Sequence, residues 1–160
     1  MGAETKRESR ELTIRAFREA DAATVAEILR GSPEASQWTE WGLKELLCWR
    51  GVLALVSEDD RKVTGFLIGR EAAGEAEILN LAVLVAKRRR GNGAALLKTA
   101  VEMLRERKVS RVFLEVRESN KAGTAFYEKQ GFSRMGRRVG YYRNPDEAAI
   151  VMERKLAVGD

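Results

Sequence analysis

The stretch Ile78–Leu97 constrains this chain more than any other. An apolar run, Ile78-Leu79-Asn80-Leu81-Ala82-Val83, leads into Lys87-Arg88-Arg89-Arg90-Gly91-Asn92-Gly93-Ala94, and a helical pattern follows. It reads as a strand, a cationic glycine turn and a helix N-terminus. Such a turn gathers unpaired backbone N–H groups, the positive end of a helix dipole and nearby guanidinium groups at one spot, which suits a phosphate or pyrophosphate. The glycines let the backbone approach that anion without a Cβ in the way. The same arrangement also serves as plain punctuation between a strand and a helix, so by itself it implies phosphate binding and no particular chemistry.

The composition narrows the chemistry. There is no histidine among the 160 residues and Cys48 is the one cysteine. Disulfides, Cys/His zinc sites, Ser-His-Asp triads and Cys-His dyads within the chain are thereby excluded, and no metal site is expected. Proton transfer has to use a carboxylate, tyrosine, lysine, water or the thiol. A hydrophobic content of 44% over this length supports one domain with a real core. No apolar run reaches the length of a membrane span, and Met1–Glu11 has no apolar signal core, so the expected location is the cytoplasm. The net charge of +5 invites a nucleic-acid partner. The distribution argues against one: basic residues concentrate at Lys87–Arg90 and at Arg134, Arg137, Arg138 and Arg143, while elsewhere the two signs alternate. A small polyphosphate ligand accounts for the first cluster more economically.

Residues 1–10 are expected to be a loose tail and residues 11–157 a single domain. Leu12, Ile14 and Ala16 alternate as in a half-buried strand, and Asp21 can cap a helix with Val25, Ile28 and Leu29 on one face. Gly31-Ser32-Pro33 breaks it, and Thr39 can cap a second helix with Leu43, Leu46 and Leu47. Val52–Ser57 and Val63–Gly69 form a hairpin about Glu58-Asp59-Asp60. After the glycine turn, Leu97, Val101 and Leu104 mark the inner face of a helix whose outer face carries Lys98, Glu102 and Arg105. Arg111–Arg117 is a strand with Val112, Leu114 and Val116 on one side and Phe113 and Glu115 on the other. The strand, helix, strand order favours parallel pairing, which brings the cationic turn and Glu115 to the same end of neighbouring strands. Asn120 can cap a short helix ended by Gly131, and Ser133–Val139 with Ala148–Glu153 closes the sheet as a last hairpin.

Several separate motifs now agree. Arg88, Gly91 and Gly93 fit a coenzyme A signature of Gln or Arg, two residues, Gly, one residue, then Gly or Ala. To this the chain adds Asn80-Leu81-Ala82-Val83, Leu114-Glu115-Val116-Arg117 with Ser119-Asn120, Tyr127-Glu128 with Gly131-Phe132, Tyr141-Tyr142 and Ile150-Val151-Met152. In these the chain resembles the GCN5-related N-acetyltransferases, and among them the bacterial enzymes that acetylate the N-terminal alanine of ribosomal protein S18. The resemblance is strong over residues 76–153; the N-terminal third matches through Trp38-Thr39 and the element order. There are two departures: Leu84-Val85 stands where relatives usually carry Asp-Pro, and Glu147-Ala148-Ala149 where they tend to carry Glu-Asp-Ala.

The resemblance implies a mixed α/β fold of about seven strands and four helices, with acetyl-CoA as acetyl donor in a cleft where two parallel strands splay apart. Its pantetheine would pair with Leu81, Ala82 and Val83, and its pyrophosphate would lie on Arg88, Arg89, Arg90, Gly91, Asn92, Gly93 and Ala94. A Val83 N–H would stabilise the oxyanion. Acetyl transfer needs a neutral amine, and an α-amine (pKa about 8) is neutral at pH 7 roughly 300 times more often than a lysine (pKa about 10.4). A modest base then suffices. Glu115 is the carboxylate suited to it; its other reading is a salt-bridged or solvent-facing strand glutamate. The family sets Tyr127 beside the sulfur as proton donor, although spacing alone makes it part of the apolar face of its helix. Asn120 can be a cap, a pantetheine contact or both. Trp38, Trp41, Tyr141 and Tyr142 can line a peptide channel, with core packing the stronger reading for Trp41 and Trp49. Cys48 reads as a buried apolar residue, and Arg137-Arg138 as a solvated strand end or a guide for an acidic partner.

Overall fold

The computed structural model describes residues 11–157. The tail expected over residues 1–10 lies outside them. Strand β1 (Leu12–Ala16) leads through a single 3₁₀ turn into helices α1 (Ala22–Arg30) and α2 (Glu40–Leu46), followed by strands β2 (Val52–Asp59), β3 (Lys62–Ala72) and β4 (Glu75–Val83). The cationic turn and helix α3 (Asn92–Glu106) connect β4 to β5 (Arg111–Arg117); α4 (Lys121–Lys129), β6 (Ser133–Tyr142) and β7 (Glu147–Lys155) follow. Among the described residues one seven-stranded sheet forms in the order β1-β2-β3-β4-β5-β7-β6, with β4 and β5 its parallel pair. This is the mixed α/β architecture that the motifs imply.

The helices cover opposite faces because their apolar stripes do. Leu96, Leu97, Ala100, Val101 and Leu104 of α3 pack with Ile78, Val112, Leu114, Val116, Ile150 and Met152, and Phe126 and Tyr127 of α4 lean on the same cluster. Across the sheet, Val25, Ile28 and Leu29 of α1 and Leu43 of α2 meet Val56, Phe66, Ile68 and Ala82. Burying each such side chain contributes about 1.5–3 kcal/mol. The second layer stops short: β6 is exposed almost throughout, which leaves the α1/α2 face open over β5, β7 and β6.

Three expectations need correction. The hairpin turns one residue later, at Asp60-Arg61, both left-handed, because Asp59 is buried and stays in the ladder opposite Lys62. Trp41 (69% exposed) and Trp49 (46%) are outside the core, and Cys48 is exposed as well. Helix α2 ends at Leu46, having turned Leu43 and Leu46 inward, so the residues after Leu47 leave the core.

What positions the cleft is a single extra residue. Ile68 pairs with Asn80 but Gly69 pairs with Ile78, so Leu79 bulges out of β4. A bulge bends its strand and increases local twist. Gly69 tolerates it because any Cβ there would come within 3.0 Å of the Glu77 carbonyl. The parallel β4–β5 ladder runs from Glu75↔Arg111 to Ile78↔Leu114 and stops at the bulge, so residues 79–83 and 115–117 diverge with facing backbones unpaired.

The first turn of the fold depends on Arg15, whose guanidinium donates two 2.8 Å hydrogen bonds to Asp21 and one of 2.6 Å to Glu58. The Arg15 hydrogen bonds hold the Asp21 carboxyl below its ordinary pKa. A depressed carboxylate stabilises the fold above its unfolded pKa, near 4, and loses that contribution as pH falls through the lower folded value. Asp21→Asn should therefore cost about 1–3 kcal/mol at pH 7 in urea unfolding, and its deficit against the unmodified chain should shrink as pH drops below 4. A deficit independent of pH would contradict this assignment.

Candidate active site

The divergence of β4 and β5 opens a narrow cavity of about 70 Å³, lined among others by Leu79, Asn80, Leu81, Glu115, Asn120, Tyr127 and Tyr142, with Glu34, Ala35 and Ser36 at its mouth. Two titratable groups expected for catalysis, Glu115 and Tyr127, thus share one opening. Glu115 follows the last residue of β5 that pairs with β4, and keeps its pairing to β7. Its Oε1 accepts a 2.6 Å hydrogen bond from Arg138, while Oε2 is buried with no hydrogen-bond partner among the described residues. The ion-paired reading of Glu115 thus describes one oxygen only, and the other keeps its lone pairs unused within the protein.

Arg138 reaches Glu115 by crossing β7. It pairs with Ala149, which in turn pairs with Arg117, and the small methyl group of Ala149 leaves the guanidinium room. Arg138 also lies 4.5 Å from the Tyr141 ring, and Arg117 4.3 Å from that of Tyr142, geometries that suit cation–π attraction. Arg137, by contrast, points to Glu118 and forms an exposed forked pair. Glu77 stands on the same face, its pKa raised by burial and by the Glu115 charge. The Glu115 carboxylate beside Tyr141 pushes that phenol up to about 12, and burial, helped by Glu115, does the same to Tyr142. Burial raises Tyr127 further, with Phe126 and Phe132 edge-on to its ring. All three phenols stay protonated, hence donors, at neutral pH.

The turn presents amides as its sequence suggests. Arg89 (φ 61) and Gly91 (φ 85) are left-handed, and Ala95 is the first residue to donate within α3, to the Gly91 carbonyl. Asn92, Gly93 and Ala94 thereby keep free N–H groups. Along β4, Leu84 donates to Thr64 on the β3 side, so strand alternation turns the N–H of Val83 and Leu81 to the open edge and that of Ala82 to its partner Phe66. Arg89 and Arg90 are exposed without a carboxylate partner among the described residues.

Two side chains of this set serve the protein itself. Asn92 is buried, accepting from the Thr64 hydroxyl (2.7 Å) and donating to the Lys87 carbonyl (3.3 Å), so only its backbone faces a ligand. Arg88 folds back from the turn to the Val83 carbonyl, Ser32 and Glu34. Trp38 packs against the α1/α2 core and does not line the cavity, whereas Tyr142 does and Tyr141 stands beside it. Sequence reasoning missed Glu77, the Arg138 bridge and the Asn80 side chain, which donates to the Ser36 carbonyl at 2.8 Å. The spacing of Arg138 from Tyr141-Tyr142 was the available signal. A wider groove of about 540 Å³ between α3 and α4, with Lys98, Arg105, Lys129 and Arg154 around it, contains neither Glu115 nor Tyr127.

Asn120 caps α4 through its Oδ1, which accepts from Gly123 at 2.8 Å, and leaves Nδ2 available. Asn120→Ala should lower stability by about 1 kcal/mol in chemical denaturation, whereas Asn120→Asp should retain the cap and that stability. Equal losses would assign the stabilisation to Nδ2 instead.

The family model described as "Acetyltransferase (GNAT) family" matches residues 22–132. The chain is 40% identical over 93 residues to the [ribosomal protein bS18]-alanine N-acetyltransferase of Escherichia coli K12, a stretch covering 57% of this chain and 63% of that enzyme, less than two thirds of its length. It is 33% identical over 140 residues to the putative enzyme of that name from Bacillus subtilis, covering 87% of this chain and 92% of the relative. In structure it is similar to the ribosomal-protein-S18-alanine N-acetyltransferase from Escherichia coli, with a TM-score of 0.82 and 29% identity over 94% of this chain and 97% of the other. Ard1 from Thermoplasma volcanium superposes equally well, at TM-score 0.82 and 30% identity over 91% and 97% of the two chains.

Proposed function

This chain belongs to the acetyltransferase (GNAT) family, and we propose that it transfers an acetyl group from acetyl-CoA to the N-terminal α-amine of a protein, the alanine of ribosomal protein S18. One observation carries the reading: Glu115 Oε2, buried and without a partner, shares the β4–β5 opening with the protonated Tyr127. The names of the relatives support the S18 substrate. Such a substrate implies work in the cytoplasm, and the domain of residues 11–157 carries the whole reaction; none of its helices is long and apolar enough to cross a membrane.

The residues fit the donor. Strand-like pantetheine finds the Leu81 backbone and the Val83 N–H unpaired, and a diphosphate finds the amides of Asn92, Gly93 and Ala94 with Arg89 and Arg90 around them. Acetyl-CoA supplies the acyl group as an activated thioester. Glu115 Oε2 accepts a proton from the attacking amine, directly or through water, and the Val83 N–H stabilises the charge on the carbonyl oxygen. Tyr127 returns a proton to the departing sulfur. Its raised pKa keeps the phenol protonated until a thiolate demands it. Tyr142 borders the opening, and Glu77, on the Glu115 face of the sheet, joins Glu115 in favouring a cationic terminus on approach.

Glu115→Gln should lower kcat by 100-fold or more, in the general range of acid–base catalysis, while calorimetric affinity for acetyl-CoA stays within about twofold. Near-normal turnover would remove Glu115 from the base role. Gly93→Trp should abolish cofactor binding, because the Cβ already meets Phe126 at 3.4 Å and an indole would fill the turn. Mass spectrometry of S18 N-termini with and without the enzyme, beside a panel of lysine and small-amine acceptors assayed for CoA release, decides the substrate. Turnover of another amine with S18 untouched would refute the S18 assignment.

A further inference from the structure

Arg88 occupies the first position of the coenzyme signature, yet its side chain leaves the phosphate turn entirely. Nε donates to the Val83 carbonyl at 3.1 Å, and Nη2 donates to Ser32 Oγ at 3.0 Å and Glu34 Oε1 at 2.8 Å. Those two acceptors lie on the connection between α1 and α2, the segment that brings Glu34, Ala35 and Ser36 to the mouth of the cavity. The connection is ordered around Ser32, which is fully buried, donates to the Ile28 carbonyl and accepts from Gln37 and the Ala35 amide. Its second tie is Asn80, whose amide holds the Ser36 carbonyl beside the bulge. Arg88 is therefore the link that joins the two halves of the site: its backbone belongs to the turn, and its guanidinium to the acceptor side.

We propose that Arg88 is a positioning residue that couples donor and acceptor binding, so that a diphosphate seated on the turn organises the α1–α2 connection to receive the acceptor peptide. This rests on the functional reading above. The physical argument is one of shared order. Neighbouring residues Arg89 and Gly91 hold left-handed conformations, and anion contacts to the amides that follow fix the backbone that carries Arg88. Once that backbone is fixed, the forked, charge-assisted bonds to Ser32 and Glu34 cost less freedom to form, and the connection loses mobility before the peptide arrives. Glu34 is ion-paired in the same contact, which leaves Glu115 as the other carboxylate lining the cavity. Coupling of this kind is reciprocal: the peptide must strengthen donor binding by the same factor.

The test measures binding of a synthetic peptide beginning with alanine, by calorimetry, with and without saturating CoA, and in parallel binding of CoA with and without the peptide. The unmodified chain should bind the peptide about tenfold more tightly with CoA present, within the usual span of coupling between sites. Arg88→Met should reduce that factor to near one, in both directions, while CoA affinity measured without peptide moves less than about threefold. Glu34→Gln leaves the turn untouched and should lose part of the coupling; the double variant should match Arg88→Met alone, because both act through one contact. Should Arg88→Met fail to fold, the factor in Glu34→Ala decides in the same way. Undiminished coupling in these variants, or a loss of CoA affinity without peptide as large as the loss of peptide affinity, would overturn the inference and leave the acetyltransferase reading standing. Failure of the unmodified chain to bind CoA at all would overturn both.

Discussion

The site exists because one hydrogen-bond ladder ends early. Parallel β4 and β5 pair over only a few residues before Leu79 bulges out of β4, and from there each strand keeps its other neighbour, β3 or β7, but loses the one across the gap. Unpaired backbone inside a sheet is costly when buried, and it persists here as the lining of an opening through which a ligand can complete the ladder. The bulge needs Gly69 opposite it, and the gap needs a sheet held firmly on both sides by the two apolar clusters.

The electrostatics follow from the same break. Because the α1/α2 layer does not extend over β5, β7 and β6, charged residues on that face stand in a shallow, half-buried zone. Glu115 would be an expensive isolated charge there, and Arg138, crossing over Ala149, offsets it while leaving one oxygen free. Tyr141 and Tyr142 complete the wall, each stacked with an arginine and each held protonated by the carboxylate or by burial. The opposite face is apolar around Tyr127, which is partly buried against the core, and that desolvation holds its proton. Glu115 and Tyr127 thus differ in environment, one ion-paired and the other packed between aromatic rings.

Much of this was legible in the chain alone. The strand Arg111–Arg117 has its expected bounds and faces, α3 carries the expected stripe, and Asn120 caps α4 as its position before a short helix suggests. These are local effects of periodicity and capping. What was not legible came from long-range placement. Trp41, Trp49 and Cys48 look like core by composition, but Trp41 stands on the outer side of α2 and Cys48 and Trp49 follow its end. Arg88 matches a phosphate motif by spacing, yet its side chain finds better partners 54 and 56 residues earlier in the chain.

The sequence by itself determined the two-layer α/β pattern, the amide-rich turn and the absence of histidine that restricts proton transfer to carboxylates, tyrosines, lysines, water or the thiol, since these depend on residue identity and short-range repeat. Tertiary structure alone decided that Glu115 keeps one free oxygen, that Asn92 and Arg88 hold the protein together and do not offer their side chains to a ligand, and that Trp38 joins the core. Each of those outcomes depends on which distant group occupies the space a side chain can reach, and the register of a seven-stranded sheet sets that space.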